Sequence, residues 1–358
     1  MSNQNTLLIQ QGQLDKTQWH RASAPVPEAG QLVCTIERFA LTANNISYAD
    51  HGKTLGYWRF FPAADDWGVL PVWGFGTVME SRVEGIAAGE RLFGFFPLSS
   101  HLLMTPLRQT PAMIEDGAEH RRELPAVYNQ YMRTAADPLY RPEFEAQQAL
   151  FKPLFATAFV ADDFLAEQQF YGAAKVLLSS ASSKTAMAIA HLLQARSEVA
   201  CIGLTSAGNV AFTEGLGCYD QVVSYDELET LDSEMPVVYV DIAGNGALRD
   251  QIHERWDSRL KYSCAIGGSH WQSRSDTPPA FGPKPQFLFA PNHVERRVAE
   301  WGAAEFQRRL ATAWQDFLPL AGRALEVTVR QGLESIGQTY LDLLAGQNNP
   351  SQGYMAQW

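Results

Sequence analysis

The stretch from Lys175 to Leu193, KVLLSSASSKTAMAIAHLL, decides the reading of this chain. It opens with a short apolar run, turns through small residues and continues in a helical pattern. A second apolar run, Val199 to Leu204, follows directly. Strand, turn, helix and strand in that order begin a βαβ unit of the kind that cradles a dinucleotide pyrophosphate. Ser180, Ser183 and Ala186 stand at the i, i+3, i+6 spacing where three glycines are expected. The physical requirement is a small side chain, so that amides at the helix start can face phosphate oxygens. Serine meets it in part and adds a hydroxyl donor. Ser182, Ser183, Lys184 and Thr185 are therefore the candidate phosphate ligands. The bland alternative is a helix N-cap with an exposed Lys184.

Strand and helix patterns alternate on both sides of this stretch. Candidate strands lie at 175–180, 199–204, 221–224, 237–241 and 261–267, and helices at 184–195, 208–216 and 246–257. Such alternation predicts a parallel sheet with helices on both faces. A further strand is expected at 285–291, then one long amphipathic helix over about 293–318, then a strand, turn and helix. GYMAQW, at the end of the chain, reads as a last strand returning to the first domain. Residues 1–106 are rich in short strands with Gly and Pro punctuation, which suggests a small barrel. Residues 107–150 mix charge, Pro and Tyr and read as a partly helical excursion between domains.

Composition narrows the partners. The chain has 358 residues, 46% apolar and 19% charged, enough for two domains with sizeable cores. Its net charge, 28 − 39 = −11, disfavours a nucleic-acid surface. Cys34, Cys201, Cys218 and Cys264 show no CxxC spacing, which favours buried free thiols over zinc or disulfides. The N-terminus lacks the pattern of a signal peptide, and no stretch is apolar enough to span a membrane. A cytoplasmic location is the default expectation.

Four motifs in order along the chain resemble the medium-chain dehydrogenase/reductase superfamily, in its zinc-free quinone-oxidoreductase-like branch. WGFGTV, after Val72, looks like that family's glycine-rich turn, and Gly89-Glu90-Arg91-Leu92-Phe93-Gly94 looks like its GDRVxG turn. ALTANNISYAD, 40–50, is similar to its GVNPxD segment, and 176–193 sits where its cofactor domain begins. With VYNQY at 127–131, the whole looks most like an uncharacterised subgroup. The resemblance implies an α/β chain with two domains. One is a GroES-like β-barrel catalytic domain, residues 1–150 and 319–358, with 107–150 as an insertion. The other is a Rossmann-type doubly wound nucleotide-binding domain, 151–318. It also implies a homodimer. Zinc-dependent members need Cys and His ligands near the equivalents of Thr42–Asn44 and Val72–Trp73, and this chain has neither. A catalytic zinc needs three converging ligands, so no metal is expected.

The remaining candidates follow from position. Thr205, Ser206 and Asn209 come after the second strand, where an Asp or Glu would hold the ribose of NAD. Without that carboxylate a 2′-phosphate meets no repulsion, which favours NADPH. Ala243, Gly244 and Gly267 end later strands, where small residues let a ligand lie against backbone. The resemblance assigns Asn44 or Asn45 to the nicotinamide end. Tyr57, Tyr48 and Tyr131 are candidate catalytic proton donors, since a phenol can donate while its ring packs on an apolar substrate. The expected activity is reduction of an activated C=C, enone or quinone by NADPH without metal. The alternative is a non-catalytic nucleotide-binding or structural protein that kept the fold, which the missing glycines motivate.

Overall fold

The apolar run that opens the deciding stretch forms the strand Lys175–Leu178, in the middle of a six-stranded sheet. The computed structural model describes residues 3–137, 140–266, 277–347 and 349–358. Its chain divides into two units, Met1–Leu150 with Glu326–Trp358, and Phe151–Leu325.

In the second unit the strands lie in the order Gln221–Ser224, Ala200–Thr205, Lys175–Leu178, Val237–Asp241, Leu260–Ala265 and Gln286–Phe287. Every neighbouring pair is parallel. Counted along the chain this is 3-2-1-4-5-6, the doubly wound order. The order reverses between Lys175–Leu178 and Val237–Asp241, so their carboxyl ends border the crevice such sheets use for ligands. Both strands are apolar on both faces: Val176, Leu178 and Val237 to Val240 are 0% exposed. Leu177, Ile202, Leu204, Val223, Tyr239, Ile252 and Trp256 belong to one core cluster against the sheet. The helices Lys184–Arg196 and Gly246–Trp256 supply the crossovers.

Two expectations for this unit change. The strand expected at 285–291 shortens to Gln286–Phe287, because the helix Ala290–Trp301 starts there with proline at its first turn. The single helix over 293–318 is two helices, Ala290–Trp301 and Ala303–Ala324, parted at Gly302 with φ 83°. Pro319 lies inside the second helix without ending it. Phe317, Leu320, Ala321 and Ala324 are buried around it, and their packing outweighs the one lost backbone bond. The chain consequently re-enters the first unit at Glu326 rather than at 319.

The first unit is built mainly from antiparallel sheet, with one parallel pair, Glu326–Gln331 on Gln352–Gln357. Gln13–Ser23, Asn3–Gln10 and Trp67–Val69 form one sheet. The larger sheet runs Glu326–Gln331, Gln352–Gln357, Leu32–Leu41, Pro71–Ser81, Arg91–Pro97, Gln130–Arg133, Met113–Asp116, Pro106–Gln109, with His101–Met104 also on Leu32–Leu41. A bridge between Thr6 and Ser99 stitches the two sheets together. The C-terminal strand pairs with Leu32–Leu41, Met355 opposite Ala40. The excursion expected at 107–150 is corrected: much of it extends the sheet, through Gln130–Arg133 on Arg91–Pro97 and Met113–Asp116 beyond. Its strands are only four residues long, too short for a visible alternation amid Pro and charge. The helix Glu145–Glu167 then carries the chain out of the first unit.

Candidate functional site

Where the first strand of the parallel sheet ends, one serine ties two strand ends together. Ser179, 0% exposed, donates its hydroxyl to Asp241 Oδ1 at 2.9 Å. The same hydroxyl accepts from the amides of Ile242 at 2.9 Å and Ala243 at 3.0 Å. Asp241 Oδ1 also accepts from the Gly244 amide at 2.9 Å. The carboxyl ends of the first and fourth strands are thereby locked at the switch point.

The bend that follows is shaped by contacts to the second and third strands. Ser180 adopts φ 52°, the left-handed region that glycine favours, and its amide donates to Tyr225 Oη at 3.0 Å. Ala181 donates its amide to the Leu204 carbonyl at 3.0 Å and accepts from Tyr219 Oη at 2.7 Å. The bend lies so close on the second strand that a Cβ on Gly203 would meet the Ala181 Cβ at 2.9 Å. Ser183 is the N-cap of Lys184–Arg196: its hydroxyl accepts from the Ala186 amide at 3.3 Å, and its own amide donates to the Ser180 carbonyl at 2.7 Å.

Three amides remain. Those of Ser182, Lys184 and Thr185 have no acceptor among the described residues. They sit at the positive end of the helix dipole. Half-buried Lys184 likewise makes no hydrogen bond or ion pair among the described residues, and burial brings its ammonium down to about 8. Ser182 Oγ gathers Thr205 Oγ1 at 3.4 Å and Asn209 Nδ2 at 3.2 Å. Ser206 is exposed beside them. A helix start with spare amides, an unpaired cation and a hydroxyl cluster is chemically an anion cradle.

The structure thus brings Ser182, Lys184, Thr185, Thr205, Ser206 and Asn209 to one end of the sheet. It gives Ser180 and Ser183 other work, as a bend and a cap. Ala243 is 0% exposed, and the amides of Ala243 and Gly244 are taken by Ser179 and Asp241, so neither amide is left for a ligand. Gly267 lies outside the described residues. Ser179, Tyr219, Tyr225 and the carboxylate of Asp241 were missed in the sequence reading. Ser179 and Asp241 each stand as the first polar residue at the end of an apolar strand, which is a usable signal.

The first unit holds the tyrosines. Thr42 and Asn45 open the helix Ala43–Asp50: Asn45 Oδ1 accepts from the Thr42 amide at 2.7 Å, and Asn45 Nδ2 donates to the Pro71 carbonyl at 2.9 Å. Asn45 is 3% exposed, so this capping arrangement absorbs it, while Asn44 stays half-buried. Tyr48, 6% exposed, accepts from Trp73 Nε1 at 3.1 Å. Burial and the neighbouring Tyr57 push its phenol up, and hydrogen bonding to Trp73 and Asn44 offsets part of this. Tyr57 packs at a tilt against Tyr48 with ring centroids 4.6 Å apart and meets the hydroxyl of Tyr128 at 3.3 Å. Tyr131 is 0% exposed, donates to the Phe95 carbonyl at 2.8 Å and accepts from Arg121 at 3.2 Å. Its ring lies on Gly94, where a Cβ would meet it at 2.4 Å. Both atoms of that hydroxyl are spent, the hydrogen on the Phe95 carbonyl and the oxygen on Arg121, which sets Tyr131 apart from the other candidates.

The four cysteines are free and buried. Among the described residues no three His, Cys, Asp or Glu side chains converge as a metal site, and no helix is long and apolar enough to cross a membrane.

The chain is similar in structure to CurA from Vibrio vulnificus in complex with NADPH, with TM-score 0.62, 13% identity and 99% of each chain covered. It is similar to the yhdH oxidoreductase from Salmonella enterica in complex with NADP, with TM-score 0.55, 12% identity and 99% of each chain covered. The quinone oxidoreductase from Coxiella burnetii gives TM-score 0.52, 14% identity and 100% of each chain. No curated protein matches in sequence. The fold is the one expected of the medium-chain dehydrogenase/reductase superfamily. The model of the family described as "Protein of unknown function (DUF2855)" matches residues 39–349, and the chain belongs to that family.

Proposed function

We propose that this chain is a reductase that takes NADPH and acts without a metal on an activated C=C, an enone or a quinone. The observation that carries the reading is the set of three amides without an acceptor among the described residues, with Lys184, at the switch point of a 3-2-1-4-5-6 sheet. The solved structures of similar fold that hold NADPH or NADP support it. When bound, NADPH supplies the hydride. The amides of Ser182, Lys184 and Thr185 would bind its diphosphate, with Lys184 neutralising charge. Thr205, Ser206 and Asn209 would receive the 2′-phosphate, since no carboxylate stands among residues 205–213 to repel it. Ser179 and Asp241 keep the strand ends in register beneath the ligand. Tyr57, whose phenol burial raises further above its usual value, keeps its proton at Oη and can donate it to an oxygen on which negative charge develops.

The test is calorimetric titration with NADPH and NADH, followed by NADPH oxidation across a panel of quinones and enones. NADPH binding tighter than NADH, with turnover of at least one compound, is the expected result. Absence of binding to either nucleotide rejects the reading. A second reading, a structural protein that keeps the fold without a nucleotide, is favoured by one observation: Tyr225 already occupies the Ser180 amide, the first of the bend. Absence of binding to both NADPH and NADH selects it.

A further inference from the structure

We propose that Tyr128 is a positioning residue: it donates its hydroxyl proton to Tyr57 Oη, and so turns the Tyr57 O–H outward as a polarised donor for the oxygen of a flat conjugated ligand. The inference deepens the reductase reading and rests on it only for the chemical class of that ligand.

The argument begins with hydroxyl accounting. Four tyrosines crowd this part of the first unit. Tyr131 is fully committed to Phe95 and Arg121, and Tyr48 accepts from Trp73. Tyr57 and Tyr128, both half-buried, have only each other, at 3.3 Å, among the described residues. Two hydroxyls carry two protons, and the bond between them uses one. One O–H is therefore left to point elsewhere.

The surroundings decide which one. Tyr128 is enclosed by Phe95 at 4.6 Å, Phe60 at 5.2 Å, Tyr57 at 5.9 Å and Trp73 at 6.1 Å between ring centroids. Tyr57 touches Tyr48, Phe60 and Tyr128. The phenol walled in by more rings has less room to turn its O–H elsewhere, so it serves as the inner donor. A hydroxyl that accepts one hydrogen bond donates a stronger one. The rings around the pair are aromatic, which suits a planar conjugated compound presenting an oxygen edge-on. The two tyrosines come from separate turns, Tyr57–Arg59 and Ala126–Tyr128, so the second falls within the VYNQY segment.

The test uses the full chain without nucleotide and 4-nitrophenolate as a stand-in for an enolate oxygen, followed by its visible absorption. Wild type is expected to bind it. Tyr57→Phe is expected to weaken binding at least tenfold. Tyr128→Phe keeps the ring and the contact surface, and is expected to weaken binding about threefold to tenfold. It should also move the bound absorption to longer wavelength, because a weaker donor stabilises the phenolate ground state less. Tyr354→Phe, on the C-terminal strand, is the control and should bind like wild type. Circular dichroism and melting confirm that each variant folds. Equal affinity and absorption for wild type and Tyr128→Phe overturn the proposal, as does absence of binding by wild type. Because NADPH is left out, loss of the reductase reading and loss of this inference show separately: a chain that fails to bind NADPH yet shows the two tyrosine effects keeps the oxygen site alone.

Discussion

The bend at Ser179–Thr185 and the pair Tyr57–Tyr128 both present hydrogen-bond donors, but of different origin. At the bend the spare donors are backbone amides of Ser182, Lys184 and Thr185, held by strand register and a helix start. At the pair they are side-chain hydroxyls from two short turns. A backbone donor survives replacement of its own side chain, provided the new one is small and the bend keeps its course. A hydroxyl donor is lost with a single atom. This difference explains how a bend that carries serines rather than glycines still leaves three amides without an acceptor among the described residues. It also predicts that the two regions respond differently to mutation.

The largest effect should come from placing negative charge among the amides. Thr185→Asp is expected to lower NADPH affinity roughly 100-fold, since like charges brought together at a binding site cost several kcal/mol. Its stability should hold, because an acidic residue suits the first turn of a helix. Calorimetry and melting check both, and undiminished affinity would break the comparison.

Next comes the lock beneath the bend. Ser179→Ala removes the hydroxyl that ties Asp241 to the amides of Ile242 and Ala243, and is expected to cost about 2–4 kcal/mol of stability in urea unfolding.

Lys184→Met is expected to weaken NADPH binding about tenfold at neutral pH, the worth of one charge-assisted contact. In the wild type that contact should fade as pH rises through about 8, where the lysine loses its proton, while the variant stays flat. Without ligand the sign reverses. The folded chain holds Lys184 less protonated than the unfolded one, so stability should rise between pH about 8 and 10.5, and the variant should lack that rise. Titrations at several pH values and pH-dependent unfolding separate the two slopes.

The smallest effect sharpens the comparison most. Ser183→Gly removes a cap hydroxyl but no spare amide, so it should cost a few tenths of a kcal/mol and leave NADPH affinity within about threefold. A large loss of affinity would mean that side chains, not amides, carry recognition at the bend.

Much of the parallel unit was legible because each of its central strands is an unbroken apolar run buried on both faces. Val237–Asp241 and Gln221–Ser224 match their expected limits, and the helix after the bend starts at Lys184 as read. Elements failed to show where length or context outweighed pattern. Met113–Asp116 and Gln130–Arg133 are four residues each and gain their partners only across the sheet. Pro319 reads as a helix stop, yet buried neighbours on its own helix carry the chain past it. The candidate site was half visible. Small residues at a strand end mark Ser182 to Thr185, but Tyr225 and Asp241 reach the bend from other strands, and no local spacing records that.

What the linear chain settles here is periodicity and residue size: apolar runs of strand length, helical stripes, and a run of small residues from Ser179 to Ser183 where backbone must turn tightly. Those are local properties, governed by sterics and burial within a few residues. Which amides remain unpaired, which hydroxyls of Tyr48, Tyr57, Tyr128 and Tyr131 are spent, and whether Lys184 has a counter-charge depend on groups tens of residues away. Hydrogen-bond capacity is finite and shared through space, so its remainder, the part available to a ligand, emerges once the whole chain has folded.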